Sequence, residues 1–453
     1  MKKYTFFKGV RIIKFCLMLL LFLSVSNVWS QTKFIPKGSV VIDMGVVPQT
    51  TGNAMKPYGL VYSLIKDYAT PVIWSVNTSK GFEGIDFTVD GKDFKGGPFI
   101  IVEELVTSQV QSVISSWESQ GVVTYITQSD VTVPMHKELK FFANWVLDTQ
   151  NGAIAEPYIE NAGIPTSAFT TALPTTLDEC DDLFVMPHAD PTWANHGEDL
   201  LKWNKSVDDG GNDLWIWAGC HAVSVLEELK DPNSSDRTNF LSEDPPAFPV
   251  NGLDGWGLIN FDDHADASGT TPYEMDYHGH PFMQFMGRTD GAHAGGSEQV
   301  FIPYPDGAWR SSTRVAVWDE AQTDYVSGGS DPDEEAALIV FGPGMGDYTR
   351  GWVMYEGGHK LDNGTSAENI AAQRAFLNFS FDAPTGKVPR VTANVAPPES
   401  ISWQSNFQMD ITGFIPDDPG GNITYEWSAS DPNVVFSSTT VDDPQFHLLQ
   451  TLP

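Results

Sequence analysis

The chemistry this sequence can offer is concentrated in one cysteine and a handful of histidines. Cys220 closes the apolar run Leu214-Trp-Ile-Trp-Ala-Gly219 and opens His221-Ala-Val-Ser-Val-Leu-Glu-Glu-Leu229. Ala222, Val225, Leu226 and Leu229 fall on one helical face, so the stretch reads as strand, turn, helix with the cysteine at the turn. A thiol there lies near the amide groups of a helix start, which favour the thiolate and can hold a developing oxyanion. A nucleophile also needs a base. Two histidines leave other apolar runs on the same side: His188, in Pro187-His188-Ala-Asp190 after residues 182–186, and His359, in Glu356-Gly-Gly-His359 after residues 352–355. The candidate catalytic set is Cys220, His359, His188 and Asp190, an arrangement suited to acyl transfer. The plainer alternative is a buried cysteine acting as a small apolar residue, with Gly-Gly-His as a turn.

A second cluster suggests metal. His264 within Asp262-Asp-His264-Ala-Asp266, the pair His278 and His280, and His293 crowd a Gly-, Pro- and Asp-rich stretch from 240 to 310. On a strand, His278 and His280 would point the same way, a spacing that suits zinc or another divalent ion. No H-E-x-x-H or C-x-x-C frame accompanies them, and a polar loop with incidental histidines competes with this reading. Acidic turns at 331–335 and 417–418 offer oxygens to Ca²⁺ without an EF-hand loop, and read more simply as solvated surface. A divalent metal is thus the one cofactor the residues suggest.

These residues need elements to hold them. Strand-like runs at 39–44, 70–76, 99–102 and 122–126 alternate with helical stretches at 55–68 and 108–120. Further strands are expected at 182–186, 214–218, 314–318, 337–341 and 352–355, and a helix from Ser366 capped by Thr365 and Glu368. Alternation of this kind predicts a three-layer α/β fold with a mainly parallel sheet. Cys180 then precedes its strand and Cys220 follows its own, so they sit at opposite edges, roughly 16 Å apart. That exceeds the roughly 7 Å limit for a bridge, so two thiols are expected. After Phe381 the pattern changes: a linker at 382–390 leads to β-type alternation and Pro-rich turns from 391 to 453.

The strand–Gly–Cys–helix elbow, followed much later by strands ending in Gly-Gly-His, resembles the class I glutamine amidotransferase-like superfamily, with a flavodoxin-like fold over about 31–381. The resemblance implies Cys220 as nucleophile and His359 as base. The family's G-x-C-x-G-x-Q reads Ala218-Gly-Cys220-His-Ala-Val-Ser224 here, with Ala at both Gly positions and Ser for the Gln, and Leu361 stands where the family has its acid. Members without amidotransferase activity, such as proteins resembling the trehalose-utilisation domain, are the closer comparison. Asn422-Ile-Thr-Tyr-Glu-Trp427-Ser resembles a polycystic-kidney-disease-type (PKD) immunoglobulin-like sandwich, truncated before its final strands. That likeness implies a spacer or adhesion module with an extracellular glycan or protein ligand.

Charge and the amino terminus set the compartment. The 453 residues carry 59 Asp and Glu against 26 Lys and Arg, a formal charge of −33, which excludes nucleic acid as a partner. Lys2, Lys3, Lys8, Arg11 and Lys14 precede an apolar run from Phe15 to Val25, and Val28-Trp29-Ser30 supplies small residues. Residues 1–30 therefore read as a signal peptide cleaved near Ser30, with a run too short to anchor the chain in a bilayer. Cleavage removes five basic residues and no acid, leaving 21 against 59, or −38. The expectation is a secreted or cell-surface modular protein with no transmembrane anchor. A cysteine-dependent amidase or hydrolase is the alternative, and a metal-dependent activity in 262–293 a further one.

Overall fold

The computed structural model describes residues 31–189, 192–243, 271–293, 308–323, 335–358 and 360–384, with the backbone of three short strands beyond them. The predicted signal segment, Asp190, His264, His359 and the Trp427 strand lie outside the described residues.

The first part of the chain runs through β1 (Thr32–Ile35), β2 (Val40–Ile42), α1 (Lys56–Tyr68), β3 (Val72–Trp74), β4 (Ile85–Val89), β5 (Lys92–Lys95), β6 (Phe99–Ile101), α2 (Ser108–Glu118), β7 (Thr124–Ile126), β8 (Val131–Pro134) and β9 (Lys137–Leu139). Five of these strands form a sheet in the order β7-β2-β6-β3-β9, and every pairing is antiparallel. The expected parallel run over 39–126 is corrected here. The helices do cross between like-directed strands, α1 from β2 to β3 and α2 from β6 to β7. Each such pair, however, has a strand of opposite direction inserted between its members. The β4–β5 hairpin, turning at Asp90 and Gly91 with positive φ at both, occupies the connection from β3 to β6, so no helical crossover joins those neighbours.

The second part carries β10 (Trp145–Asp148), α3 (Glu156–Ala162), β11 (Phe169–Ala172), β12 (Leu183–Met186), α4 (Glu198–Trp203), β13 (Trp215–Gly219), α5 (Val223–Glu227), β14 (Ser242–Glu243), β15 (Glu274–Met275), α6 (Asp290–His293), β16 (Ala308–Trp309), β17 (Arg314–Thr323), β18 (Glu335–Pro343), β19 (Trp352–Glu356) and α7 (Ser366–Asp382). An eight-stranded sheet runs β11-β10-β12-β13-β19-β18-β17-β15. Its first five strands are mutually parallel and the remainder antiparallel. Leu183 lies level with Trp215 and Met186 with Ala218, so Cys180 and Cys220 fall at opposite edges, and neither is in a disulfide. Beyond residue 384, strands Phe407–Gln408, Gln445–Leu448 and Val434–Phe436 pair antiparallel, with Gln445–Leu448 in the middle. Among the described residues no helix is long and apolar enough to cross a membrane.

Helix α7 sits between the two large sheets. Its start is fixed by the expected capping box of Thr365 and Glu368, and every residue from Ile370 to Phe381 is buried. A helix apolar on one side only could not do this, and α7 is covered all round. Phe379 and Phe376 pack on Trp215 and Trp217 of the larger sheet, at 4.9 Å for each ring pair. Phe381 faces Tyr58 on α1, 5.1 Å away. Arg374 and Asn378 supply the polar ties: Arg374 donates to the carbonyls of Met44 and Gly96, and Asn378 donates to those of Phe282 and Gln284 while accepting from the Tyr58 hydroxyl. Phe376→Ala is therefore expected to lower unfolding free energy by about 3–5 kcal/mol in denaturant titration, whereas Ala at exposed Ser115 shifts it by under about 0.5 kcal/mol.

Candidate functional site

The larger sheet delivers its chemistry at the carboxyl edge of the parallel strands. β13 ends at Gly219, and the next residue, Cys220, adopts φ +47. That left-handed conformation costs a residue with a Cβ roughly 1–2 kcal/mol and is a mark of turns held for function. Gly219 is required beside it, because a Cβ there would lie 2.9 Å from the carbonyl oxygen of Pro187. The close approach draws the end of β12 and its continuation, His188, up against the elbow. The rings of His188 and His221 meet edge to face at 5.4 Å, both half-buried. Cys220 itself has no exposed surface. The helix after it is shorter than expected: a single tight turn over Cys220–Ala222 followed by five residues of α5, so helix polarity contributes little.

On the other side of the elbow, Gly219 is level with Glu356, the last residue of β19. Glu356 is fully buried, accepts from Trp217 Nε1 at 3.3 Å and pairs with His293 Nε2 at 3.3 Å. Burial pushes its carboxyl up, an effect partly offset by His293 and Trp217. The chain then turns through Gly358 at φ +90, where a Cβ would meet the Ala292 carbonyl at 2.9 Å; this contact seats His293. The Tyr158 hydroxyl is buried nearby with no hydrogen-bond partner among the described residues. Its pKa is driven far up by burial, then by the charges of Glu356, Asp362 and Cys220.

Strand alternation places a second acid–histidine pair on the opposite face. Trp145 and Leu147 share the α7 face with Trp215 and Trp217, as the Trp145–Phe381 contact at 5.9 Å confirms. Asp148 therefore points the other way, where it holds His196 Nε2 at 3.1 Å with both side chains fully buried. At the carboxyl ends of the parallel strands, then, Glu356–His293 lies on the α7 face beside β13 and Asp148–His196 on the other face at the end of β10, two strands from β13.

Of the expected catalytic set, His188 meets His221, the residue after Cys220, while Asp190 and His359 lie outside the described residues. Among the described residues the expected metal set does not converge. Residues 278–280 form a turn rather than a strand, so His278 and His280 do not share a face. His278 packs on Phe82 at 5.3 Å. His280 Nδ1 accepts from the Phe282 amide and its ring lies on Phe341 at 4.5 Å, with burial pushing its pKa down to about 3. His293 is taken by Glu356, and His264 lies outside the described residues. No group of three or more His, Cys, Asp or Glu among the described residues is placed to hold a metal ion. Sequence reasoning missed Glu356, Tyr158 and the Asp148–His196 pair as site residues. A carboxylate directly after an apolar strand, as in Trp352-Val-Met-Tyr-Glu356 and Trp145-Val-Leu-Asp148, was the available signal.

No protein-family model matches the chain, and no curated protein matches it.

Helix α5 is held in place by its last residue. Glu227 is fully buried and accepts from the amides of Leu241 and Ser242 and from the Ser242 hydroxyl. Burial raises its pKa from 4.5 to about 7, against those hydrogen bonds and Arg310. A carboxyl raised in the folded state contributes stability that is fully present below its unfolded pKa and is lost as pH rises through the folded value. Wild type should lose on the order of 3 kcal/mol between the two values, and Glu227→Gln should remove that part of the decline. Denaturation midpoints recorded from pH 4 to pH 8 (about the span of both pKa values) check this; superimposable curves for the two proteins would refute it.

Proposed function

We propose that the chain is a thiol-dependent hydrolase acting on amide or related acyl bonds, with Cys220 as nucleophile, working outside the cytoplasm in a modular secreted or cell-surface protein. One observation carries the reading: a cysteine, rather than glycine or asparagine, occupies a left-handed position at the strand-to-helix turn, where its thiol is held at the carboxyl edge of parallel strands. In this reading Cys220 Sγ attacks the substrate carbonyl carbon as its proton passes to the imidazole of His359, three residues beyond Glu356. The imidazolium returns that proton to the departing amine as the C–N bond breaks, leaving a thioester that water then cleaves. His188, at the end of the neighbouring strand, orients or replaces the base. Glutamine amide transfer is not proposed, since Ala222 and Ser224 stand where the amidotransferase pattern has Gly and Gln.

Five parallel strands between Trp145 and Glu356 and the elbow at β13 support a flavodoxin-like reading of that part of 31–381 only, the first sheet being antiparallel. For residues 391–453, the antiparallel pairing of three short strands supports an immunoglobulin-like, PKD-type spacer or adhesion module, and the basic, apolar start of the chain supports secretion with cleavage near Ser30.

Cys180 provides an internal control. It is exposed, yet partial burial and then the acids Asp178, Asp181 and Glu179 push its thiol up. Treatment of the native protein with iodoacetamide near neutral pH, read by peptide mass spectrometry, should alkylate Cys220 faster than Cys180 despite its burial. His359→Ala should slow Cys220 at least tenfold, about 1.4 kcal/mol, with Cys180 unchanged. Labelling of Cys180 first, with Cys220 reacting only on unfolding, would sink the nucleophile.

A further inference from the structure

The opposite edge of the same sheet holds a cleft of about 600 Å³ with a different character. Its wall is made by Trp215 and Trp352, the first residues of β13 and β19, whose rings lie 6.2 Å apart and 34° from parallel. Trp215 is only 9% exposed and Trp352 is partly exposed, and Tyr348, 65% exposed, continues the aromatic strip 6.5 Å further on. Keeping large aromatic faces in water forgoes the burial that stabilises a fold, at about 25 cal/mol per Å², and a concave aromatic surface with a few fixed polar groups is the usual form of a small-ligand site.

The polar side of the cleft is fixed. His136 Nε2 is bonded to Asp382 at 2.7 Å, and Lys137 donates to the carbonyls of Asp382 and Ala383. Glu138 and Lys140 are paired at 3.5 Å and remain about one-third exposed at the rim. Lys137 and Lys140 balance Glu138 and Asp382, so the cleft adds no net charge to a chain at −33. A wholly apolar ligand would strip water from the rim groups without replacing their hydrogen bonds. An anionic one would meet the field of an acidic protein with no surplus of cations to offset it.

We propose that this cleft binds a neutral saccharide, its C–H face on Trp352, which the buried Trp215 backs, and its hydroxyls on Glu138 and Lys140. A sugar ring has the required duality, one face of C–H groups and an equator of donors and acceptors. The site is independent of the thiol chemistry: Cys220 lies at the far end of β13, roughly 16 Å away.

The test uses the full chain on an array of neutral and acidic oligosaccharides, followed by calorimetry with maltose, cellobiose and diacetylchitobiose. At least one neutral glycan should bind saturably, Trp352→Ala should weaken it roughly tenfold or more, and Cys220→Ser should leave it unchanged. Should Trp352→Ala fail to fold, Glu138→Gln, at a rim position outside the core, serves instead and should weaken binding several-fold while circular dichroism stays native. Retention of no neutral glycan, retention of acidic glycans alone, or undiminished binding by a folded Trp352→Ala or Glu138→Gln variant would overturn the proposal.

Discussion

Burial of α7 on every side is the constraint on which the rest depends. One helix serves as the shared core of two sheets of different construction: Phe376 and Phe379 pack on the larger sheet, and Phe381 bridges Trp145 of that sheet to Tyr58 on α1 and Phe99 of the smaller one. Arg374 is the costly element. A buried guanidinium is costly unless its donors find acceptors; the carbonyls of Met44 and Gly96 and the Gln49 side chain take up its terminal nitrogens, while its Nε has no partner among the described residues. The smaller sheet is thereby tied to the helix that also backs Trp217, and Trp217 donates to Glu356 beside the elbow. Packing in the middle layer thus reaches the site through one indole.

The site combines strain with buried ionisable groups, and both features are unfavourable for folding alone. Cys220 at positive φ, a fully buried Glu356–His293 pair and a second buried Asp148–His196 pair each have to be held by surrounding structure. Their clustering around the ends of β10, β13 and β19, rather than their scattering through the core, is what favours chemistry over packing. The same sheet presents opposite characters at its two ends: thiol, imidazole and carboxyl where the strands finish, indole and rim charges where they begin.

Much of this was legible in the sequence where a single element decides the matter. The run ending in Gly219-Cys220, the capping box at Thr365 and Glu368, and the placement of Cys180 and Cys220 at opposite edges all follow from local pattern and strand polarity. The antiparallel first sheet was not legible. Helical periods correctly indicate crossovers between like-directed strands, but no local signal tells that β6 inserts between β2 and β3. The pair His278 and His280 departs from its expected alignment for a related reason. His278 and His280 share a face only on a strand, and His280-Pro281 instead caps a turn. Glu356 and Asp148 acquire meaning only through register, which brings residues distant in sequence to the same level of the sheet.

Whether Cys220 accepts an acyl group is read most directly by intact-mass and peptide analysis of the native protein after brief exposure to p-nitrophenyl acetate. A single thioester on Cys220, absent from Cys220→Ser and formed with a burst of nitrophenolate, is the predicted result. Acetylation confined to Cys180 and surface lysines, with no burst and Cys220 unmodified, would contradict it.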